Sequence, residues 1–531
     1  MVRRRLARLG VVIVAMFGLV PVESASAAPV KPAVPWDING DGYAELALGS
    51  PRERGAGSPR MGGGGVVTLL KGSAQGPVGA GSVTVSQESP GVAGYSEPGD
   101  EFGSAMASCD FNRDGFADLV IGAAGETGPG DPSPGDRAQG AVNVLYGSAR
   151  GVRTSGNDLF SPGEFRFRQE WGQALECGDV NGDGYAELVA GGGGTRGVEL
   201  GGVSVFYGAR TGLDEGRATH LNRAAVGFPA GEDDFRASLF GRSLAVGDLN
   251  NDGRDDVVVG GDGNLYVLLG RSGGVTTPAR RILFGQTGIT QAAGGLGSAA
   301  LATGDFDRNG YADIAASVYE VDSPKCESDY EEQFCPDGVV VISARSAGLD
   351  VAGADLWWAD APGVAGVADK DDNFGYTLAA GDLNRDGRDD LAIGSPNKTV
   401  GAARSTGGVT ILYGSTAGLT ASGSQIWTQD SPRVPGVNET YDGFGSALLI
   451  SALRGRSGNG LTIAVPSESV GSTRPLAGVA TVMFGISSGV TANGAKIWSQ
   501  SSPGVAGAAE AGDCFGYPRG GVPLRGSDVR C

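Results

Sequence analysis

An acidic string of thirteen residues that returns six times constrains the fold of this chain more than any other feature. Each copy reads Asp-x-Asn-x-Asp-Gly-x-x-(Asp or Glu) and runs into a short apolar stretch; in the fifth copy Asp and Asn exchange places at positions 3 and 5. Successive copies begin 57 to 77 residues apart, at Asp37, Asp110, Asp179, Asp248, Asp305 and Asp382. Self-similarity with a spacing of this kind indicates one supersecondary unit repeated along the chain.

The residues around each acidic string predict the unit itself. A pair made of an aromatic residue or Leu followed by Gly precedes most copies by eight or nine residues, and an alternating strand such as residues 141–148 follows them. The seven pairs are Phe102-Gly103, Trp171-Gly172, Phe240-Gly241, Leu296-Gly297, Phe374-Gly375, Phe444-Gly445 and Phe515-Gly516. Each unit therefore reads as four short antiparallel strands, which is typical of a β-propeller blade. A helical solenoid is excluded because no 3.6-residue periodicity appears.

The two ends of the chain complete the count of blades. The acidic string at Asp37 has no aromatic-Gly pair before it, and the pair at Phe515 has no acidic string after it. The C-terminal strand thus begins the blade that the N-terminal strands complete. We predict an all-β protein, a seven-bladed propeller of four-stranded antiparallel blades closed by pairing of N- and C-terminal strands. Such closure removes exposed sheet edges.

The Phe-Gly start, the acidic loop and the Leu-x-x-Gly strand together resemble the FG-GAP repeat of integrin α-subunit head domains and of secreted bacterial relatives. The resemblance extends from Trp36 to about Leu524. It implies a seven-bladed propeller, calcium in the first hairpin loop of the blades, and a role in adhesion or ligand binding. No leg domains, transmembrane helix or cytoplasmic tail are recognised after the repeats, so we expect no integrin-type signalling.

The spacing of oxygen-bearing side chains in the acidic strings also predicts calcium. Positions 1, 3 and 5 supply side-chain oxygens, Gly at position 6 permits a sharp turn, and position 7 offers its backbone carbonyl. An EF-hand places a Glu at position 12, whereas here the carboxylate stands at position 9, which suits a β-hairpin. The predicted ligands are Asp37, Asn39, Asp41, Tyr43 and Glu45; Asp110, Asn112, Asp114, Phe116 and Asp118; Asp179, Asn181, Asp183, Tyr185 and Glu187; Asp248, Asn250, Asp252, Arg254 and Asp256; Asp305, Asp307, Asn309, Tyr311 and Asp313; Asp382, Asn384, Asp386, Arg388 and Asp390.

The charge balance favours metal over simple turn chemistry. Asp, Asn and Gly are common in turns without any ligand, but position 9 is acidic in all six copies. Six Ca²⁺ ions would bring the formal charge of the chain from −19 to −7. Magnesium is a poorer fit because it keeps several waters in a strict octahedron. A chain this acidic is not expected to bind nucleic acid or an anionic membrane.

The seventh unit is predicted to be free of metal. Its equivalent segment, Ala452 to Gly460, has lost the acidic residues and carries Arg454 and Arg456 instead. Two interpretations of these arginines stay open: they are solvated surface residues, or they substitute for the missing cation.

The N-terminus predicts export. A basic start, the apolar stretch Leu9–Val20 and the sequence Ala25-Ser26-Ala27 indicate a signal peptide over residues 1–27, followed by a short leader at 28–35 and the propeller at 36–531. The apolar stretch is too short for an ordinary membrane span. We therefore expect a secreted, extracellular monomer.

Export makes disulfides plausible for the six cysteines. Cys326 and Cys335 are nine residues apart in one polar insertion and are expected to pair. For the other four the pairing is open, and Cys109 with Cys177 and Cys514 with Cys531 is the preferred arrangement.

No catalytic constellation is recognisable. Gly485 to Gly489 match the G-x-S-x-G pattern but align with hairpin turns at Gly147 and Gly414. The single histidine, His220, is expected to be exposed, and the glycine run Gly191–Gly194 is followed by no Lys. A pair of carboxylates of the glycosidase kind is the remaining enzymatic alternative.

Strand order predicts where a partner binds. The calcium loops connect strands 1 and 2, whereas the long, variable segments connect strands 2 and 3 or lead from strand 4 into the next blade, on the opposite rim. Variable loops on a rigid scaffold commonly carry binding. We expect a binding or adhesion-type module for an extracellular protein or glycan; an extracellular hydrolase or lyase acting on polysaccharide through an acidic pocket on that rim is the alternative, and a purely structural role ranks third. Trp357 and Trp358 are expected to pack within a blade rather than to present an aromatic surface.

Overall fold

The computed structural model describes residues 31–53, 63–127, 139–162, 170–193, 201–229, 239–290, 295–319, 336–368, 372–455 and 458–516. Within these ranges the chain is built almost wholly from antiparallel strands, with one short 3₁₀ helix at Phe284–Gln286. The signal peptide, residues 28–30 of the leader and the predicted Cys326–Cys335 pair lie outside the described residues. Among the residues described, no helix has the length and apolar character needed to cross a membrane.

The strands form seven blades, which we number 1 to 7 in chain order. Six sheets have four strands in sequence order, and blade 1 has three N-terminal strands. The inner strands are Phe102–Cys109, Ala174–Gly178, Ser243–Gly247, Leu296–Gly304, Thr377–Gly381 and Leu448–Ser451. The second strands are Leu46–Ser50, Asp118–Ala123, Glu187–Gly192, Asp256–Gly260, Asp313–Tyr319, Asp390–Ser395 and Gly460–Val465.

The third and outer strands complete each blade. The third strands are Val66–Lys71, Ala141–Leu145, Gly202–Tyr207, Asn264–Leu268, Pro336–Ile342, Gly408–Ser415 and Val479–Ile486. The outer strands are Val78–Val85, Asp158–Phe160, Asp214–Asn222, Arg280–Leu283, Asp355–Trp357, Gly418–Trp427 and Gly489–Trp498. Two-residue hairpins extend blade 4 (Gly270–Arg271 with Gly274–Val275) and blade 5 (Ala344–Arg345 with Gly348–Leu349).

The C-terminal segment closes the ring at blade 1. The amide of Gly516 donates to the carbonyl of Gly49 at 2.8 Å, and the equivalent bond joins the aromatic-Gly pair to the second strand in blades 3, 4, 6 and 7. The amide of Ala44 in blade 1 also donates to the carbonyl of Ala452 in blade 7 at 3.2 Å. The predicted closure by the two chain ends is therefore confirmed.

The aromatic-Gly pairs fix the distance between neighbouring blades. Phe102, Phe240, Phe444 and Phe515 are fully buried, and burial of such a ring contributes about 2–3 kcal/mol. The glycines that follow have φ between 63° and 93°, a left-handed conformation that other residues rarely adopt. At Gly375 a Cβ would lie 2.8 Å from the carbonyl oxygen of a third-strand residue in the preceding blade. The pair thus combines an anchor with a backbone contact that only glycine permits.

The core lies between the blades. Val189, Val203 and Val205 of blade 3 pack against Val257 and Val259 of blade 4, and all are buried. Because the second strands are covered on both faces, they read as continuous apolar runs and not as alternating ones. This explains the apolar stretch that follows each acidic string.

One disulfide joins neighbouring inner strands. Cys109 at the end of blade 2's inner strand is bonded to Cys177 of blade 3, with Cα atoms 6.4 Å apart. This pairing confirms the preferred arrangement for these two cysteines. Closure of a loop of 68 residues stabilises the fold by about 4 kcal/mol in the chain-entropy description. The predicted Cys514–Cys531 pair includes a cysteine outside the described residues.

Two features that could have indicated catalysis, the G-x-S-x-G match and His220, lie in ordinary turn and strand geometry. Ile486 pairs with Gly489 across a hairpin turn, so the G-x-S-x-G match is a turn between strands, as predicted. The expectation that His220 is exposed is wrong: it lies in the outer strand of blade 3 and is half-buried, with Nδ1 2.8 Å from the Oγ of Ser204. Ser204 is buried in the third strand, so this cross-strand pair has a structural role.

Candidate metal centres

All six acidic strings occupy the same place in their blades. In blades 2 to 6 the string forms the turn between the inner and second strands; in blade 2, for example, Asp110 follows the inner strand and Asp118 begins the second. In blade 1 the string leads directly into the second strand, because the C-terminal segment occupies the inner position. Every inner strand runs in the same direction along the propeller axis. The six turns therefore lie on one rim of the propeller, which we call the acidic rim. The seventh turn, between Ser451 and Gly460, lacks acidic residues.

Hydrogen bonds from backbone amides to side chains of the same turn stabilise each acidic turn. In blade 2, the carboxylate of Asp110 accepts from the amides of Asp114 and Gly115 at 3.1 and 3.0 Å. Asn112 Oδ1 accepts from the amide of Asp114 at 2.9 Å, and Asp114 Oδ1 accepts from the amide of Phe116 at 3.1 Å. Most of these bonds recur in the other five turns. These hydrogen bonds hold the side chains of positions 1, 3 and 5 around one short turn.

Backbone conformation explains the invariant glycine at position 6. The φ angles there lie between 80° and 89° in all six turns. Position 4 is also left-handed, although it is occupied by Arg113, Asn251, Arg308 and Arg385 in four of the turns. Arg308 uses this conformation to donate from Nη1 to the carbonyl of Asp386 in the next blade at 3.2 Å. The sequence pattern gave no sign of this second left-handed position.

The position-9 carboxylates have a role that the sequence analysis missed. In blade 6, Asp390 Oδ2 accepts from the amide of Leu383 at 2.8 Å and Oδ1 accepts from the amide of Gly414 at 2.9 Å. The same pair of bonds joins the acidic turn to the turn after the third strand in every other acidic blade. Each position-9 carboxylate is therefore a latch between two turns of its own blade.

Burial of these latches changes their protonation. It raises the pKa of Asp118 and Glu187 to about 8 and that of Asp390 to about 7, and the acids at positions 1 and 5 add to the rise in Asp118 and Glu187. The pKa values of Glu45, Asp256 and Asp313 rise to about 7 for the same reasons. A nearby cation would favour the charged form instead.

The oxygen donors suit a hard cation, but the carboxylates are not drawn into one cluster. Across the described ranges, no three His, Cys, Asp or Glu side chains lie close enough together to hold one metal ion. Each turn instead offers the Asp at position 1 and the Asn and Asp side chains at positions 3 and 5. The carboxylate at position 9 accepts hydrogen bonds from backbone amides. Asp37 Oδ1 and Asn250 Oδ1 are buried and lack hydrogen-bond partners. Oxygen donors of this type are the ones that calcium prefers.

The acidic turns also join one blade to the next. The position-8 amides of Ala117 and Ala312 donate to the position-1 carbonyls of the preceding blades at 3.0 and 2.8 Å. In blades 4 and 6, position 8 is itself acidic. Asp255 Oδ2 accepts from the amide of Asp179 at 2.8 Å, and Asp389 makes the equivalent bond at 3.0 Å. The signal for these contacts was the Arg-Asp-Asp sequence that distinguishes these two copies.

Substitution of Asp255 tests the contact between blades. We expect Asp255→Ala to lower the free energy of unfolding by about 1–3 kcal/mol, because the amide of Asp179 loses its side-chain acceptor. Asp255→Asn keeps an acceptor oxygen and should lose less than half as much. Urea unfolding of both variants measures the difference. Equal stability of the wild type and Asp255→Ala would contradict a coupling role.

A second set of buried carboxylates lies on the opposite rim. Gln87 Nε2 donates to Glu126 of blade 2, and Gln429 Nε2 donates to Glu468 of blade 7, both at 2.6 Å. Gln500 makes the equivalent bond to Glu53 of blade 1. Asp100, Asp442 and Asp513 lie beside these glutamates, and we call the three groups the carboxylate cages. In blade 6 the glutamate is replaced by Lys398, whose Nζ is 3.1 Å from Asp372.

The cages predict a pH dependence of stability. Burial and neighbouring carboxylates raise the pKa of Asp100 and Asp442 to about 8, and those of Glu53 and Glu468 to about 7. A raised folded-state pKa gives stability that is full below the ordinary value of about 4 and is lost as pH rises through the folded value. In chelator, the free energy of unfolding should therefore fall between pH 5 and 8. We expect Glu468→Gln to flatten the slope; a rise over this range would contradict the assignment.

Comparison with known proteins follows the same repeats. The family described as FG-GAP repeat matches residues 29–70, 102–145 and 374–412, and the FG-GAP-like repeat matches 248–316. Phosphatidylinositol-glycan-specific phospholipase D of Rattus norvegicus is 34% identical over 220 residues, covering 39% of this chain and 23% of the relative. Integrin alpha-5 of Xenopus laevis is 25% identical over 237 residues, covering 42% and 20%.

A solved structure gives a more distant likeness. It is that of an Agrocybe aegerita lectin described as recognising non-reducing terminal N-acetylglucosamine, with a TM-score of 0.45 and 13% identity. The alignment covers 90% of this chain and 94% of the lectin. Aligned regions span less than a quarter of the length of the phospholipase and integrin relatives.

Proposed function

Because the chain is a seven-bladed β-propeller that carries FG-GAP repeats, we propose that it is a secreted binding module, braced by calcium on the acidic rim, that recognises an extracellular protein or glycan on the opposite rim. The observation that carries this proposal is the division of labour between the two rims. One rim repeats a single oxygen-rich turn six times, while the other carries connections that differ in length and sequence from blade to blade.

Calcium would be held by the side chains at positions 1, 3 and 5, with the position-7 carbonyl and the position-9 carboxylate as further oxygen donors. When bound, it would neutralise acids that otherwise repel one another within a turn. The hydrogen bonds within each turn hold these oxygen donors in place before an ion binds. The hydrogen bonds between position-1 carbonyls and position-8 amides of the next blade would then couple an ordered turn to its neighbour.

The opposite rim presents exposed apolar side chains at equivalent positions. Tyr95 is 81% exposed, and Val367 and Val437 are each 67% exposed. All three follow a glycine in the connection that leads from an outer strand into the next blade. Contiguous exposed apolar patches are typical of contact sites, and we propose that these side chains, which recur at one position of three connections, contribute to such a site. They give the proposed recognition face a repeated hydrophobic element.

The relatives show that this repeat region occurs in proteins of more than one kind. Integrin alpha chains and the phospholipase share this repeat region, but the alignments cover only about a fifth to a quarter of those longer proteins. The shared region is therefore a module that occurs with different activities. The similarity to a phospholipase supports the alternative function, that of an extracellular hydrolase or lyase that uses acidic residues on the rim opposite the calcium turns.

An array of glycans and matrix proteins, probed with the purified chain in calcium and in chelator, tests the proposal. We expect retention of one ligand class, and at least tenfold weaker binding when Tyr95, Val367 and Val437 are all changed to Ser, a loss of about 1.4 kcal/mol. The matched control changes Val83, Leu159 and Leu283 to Ser, since these exposed apolar residues lie on outer strands. Absence of any retained ligand, or conversion of a polysaccharide to product, would contradict the binding role.

Export can be tested separately. The signal peptide predicted for residues 1–27 implies that the mature chain begins at Ala28. N-terminal sequencing of protein recovered from the medium should give Ala28, and retention of Met1 on an intracellular product would contradict secretion.

A further inference from the structure

Three cationic side chains meet on the acidic rim at the junction of blades 6, 7 and 1. Arg385 Nη2 donates to the carbonyl of Gly485 at 2.7 Å, and Lys496 Nζ donates to the carbonyl of Pro77 at 2.8 Å. The guanidinium of Arg454 lies over the ring of Phe484, 3.3 Å from its centroid. Together these residues link the turns of three blades. We call Arg385, Arg454 and Lys496 the basic cluster.

The basic cluster differs in its ion pairing from other cations of the acidic rim. Among the ion pairs found within the described residues, none includes these three side chains, whereas Arg254 and Arg388 on the same rim pair with Asp252 and Asp386 at 3.2 and 3.4 Å. The cations also act on one another. Desolvation and the nearby Arg385 lower the pKa of Arg454, and desolvation and Arg454 lower the pKa of Lys496. Positive charge is thus concentrated here, and no ion pair between described residues offsets it.

The loss of acids from the seventh turn explains why the cluster exists. Arg454 stands at position 3, where the other turns carry Asn or Asp, and Ala452 replaces the aspartate of position 1. If Arg454 substituted for a calcium ion, it would be expected to contact the acids of a neighbouring turn. It instead packs on Phe484 and near Gly494, so its charged edge is not used to hold the neighbouring acidic turns.

We propose that the basic cluster binds an oxyanion, a sulfate or carboxylate group carried by an extracellular acidic ligand. Planar guanidinium groups donate two parallel hydrogen bonds to such groups, and an ammonium adds a point charge. Backbone carbonyls already fix Arg385 and Lys496, so little side-chain freedom is lost on binding. The Trp498 ring, 5.8 Å from Lys496 Nζ, borders the cluster. This site is distinct from the recognition face, and it adjoins the acidic turn of blade 6, in which Arg385 stands at position 4.

Binding of defined anions to the full chain tests the assignment. The probes are a heparin tetrasaccharide, which is sulfated, and a tetragalacturonate, which carries only carboxylates, each titrated calorimetrically at low and physiological salt. We expect at least one probe to bind, more weakly as salt rises. Arg454→Gln combined with Lys496→Gln should weaken binding at least tenfold. The preferred probe identifies the anion as sulfate or carboxylate.

Two controls keep the result interpretable. Arg153→Gln removes another guanidinium that lies over an aromatic ring, that of Tyr146, and should leave binding unchanged. Because Arg454 covers Phe484, the single variant Lys496→Gln provides a second test that leaves this cover in place and should still weaken binding. Binding of neither probe by the wild type, or equal binding by wild type and Lys496→Gln and by the double variant, would overturn the proposal.

Discussion

Chelation of calcium is expected to lower the midpoint of thermal unfolding by about 10 °C or more at neutral pH. A single ion at one hundred times its dissociation constant stabilises the folded state by about 2.7 kcal/mol, and six sites would multiply that linkage. The effect on the midpoint is diluted in a large domain, where one kcal/mol corresponds to about 2–4 °C or less. Calorimetry in calcium and in excess chelator measures the shift.

The control for this prediction is magnesium. Because magnesium retains its waters and demands a strict octahedron, it should restore much less of the lost midpoint than calcium does. Restoration by any divalent ion alike would point to general charge screening. Superimposable melting curves in calcium and chelator would contradict a bracing role for the acidic rim.

Replacement of a position-9 latch should cost more stability than any other substitution in an acidic turn. Asp118→Ala leaves the buried amides of Phe111 and Gly147 without their acceptor. Each unsatisfied buried donor costs about 1–3 kcal/mol, so we expect the free energy of unfolding to fall by about 2–6 kcal/mol. The loss should persist in chelator, because the bonds are made without metal. Urea unfolding in chelator measures it.

Asp114→Ala in the same turn is the matched control. Asp114 stands at position 5 and accepts from the exposed turn amide of Phe116, not from a buried amide of another strand or turn. We expect this variant to bind less calcium while its stability in chelator changes by about 0.5 kcal/mol or less, as for an ordinary surface substitution. If both variants lost equal stability in chelator, the latch would have no special role.

The fold was accessible from the sequence because the repeat combines several local constraints that agree. An aromatic anchor, a left-handed glycine, an acidic turn and an apolar strand recur in one order, which is broken at the chain ends and in the seventh turn, where the acids are missing. The break at Asp37 and Phe515 was enough to predict how the ring closes, and the bond from Gly516 to Gly49 shows that closure. The cysteine pair 109–177 was one preferred arrangement among open ones, and the structure shows why it forms: the two residues lie at or next to the ends of inner strands in neighbouring blades.

The sites were less accessible because their contacts join residues far apart in the chain. Position 9 is conspicuous as an acid in every copy, but its bond to a turn beyond the third strand, such as Gly414 for Asp390, cannot be read from the acidic string. The cages unite a glutamine that lies two residues after an outer strand with a glutamate 39 residues away in two cages and 447 residues away in the third. His220 was misjudged because its polar neighbours concealed a strand that pairs with Ser204.

The amount of calcium bound by the purified mature chain tests the account most directly. The protein is loaded with calcium, freed of excess ion by gel filtration in metal-free buffer, and analysed by atomic emission against its molar concentration. We expect about six calcium ions per chain, one for each acidic turn, and one fewer in a variant with Asp110 and Asp114 both changed to Ala. A content below one ion per chain would contradict the account.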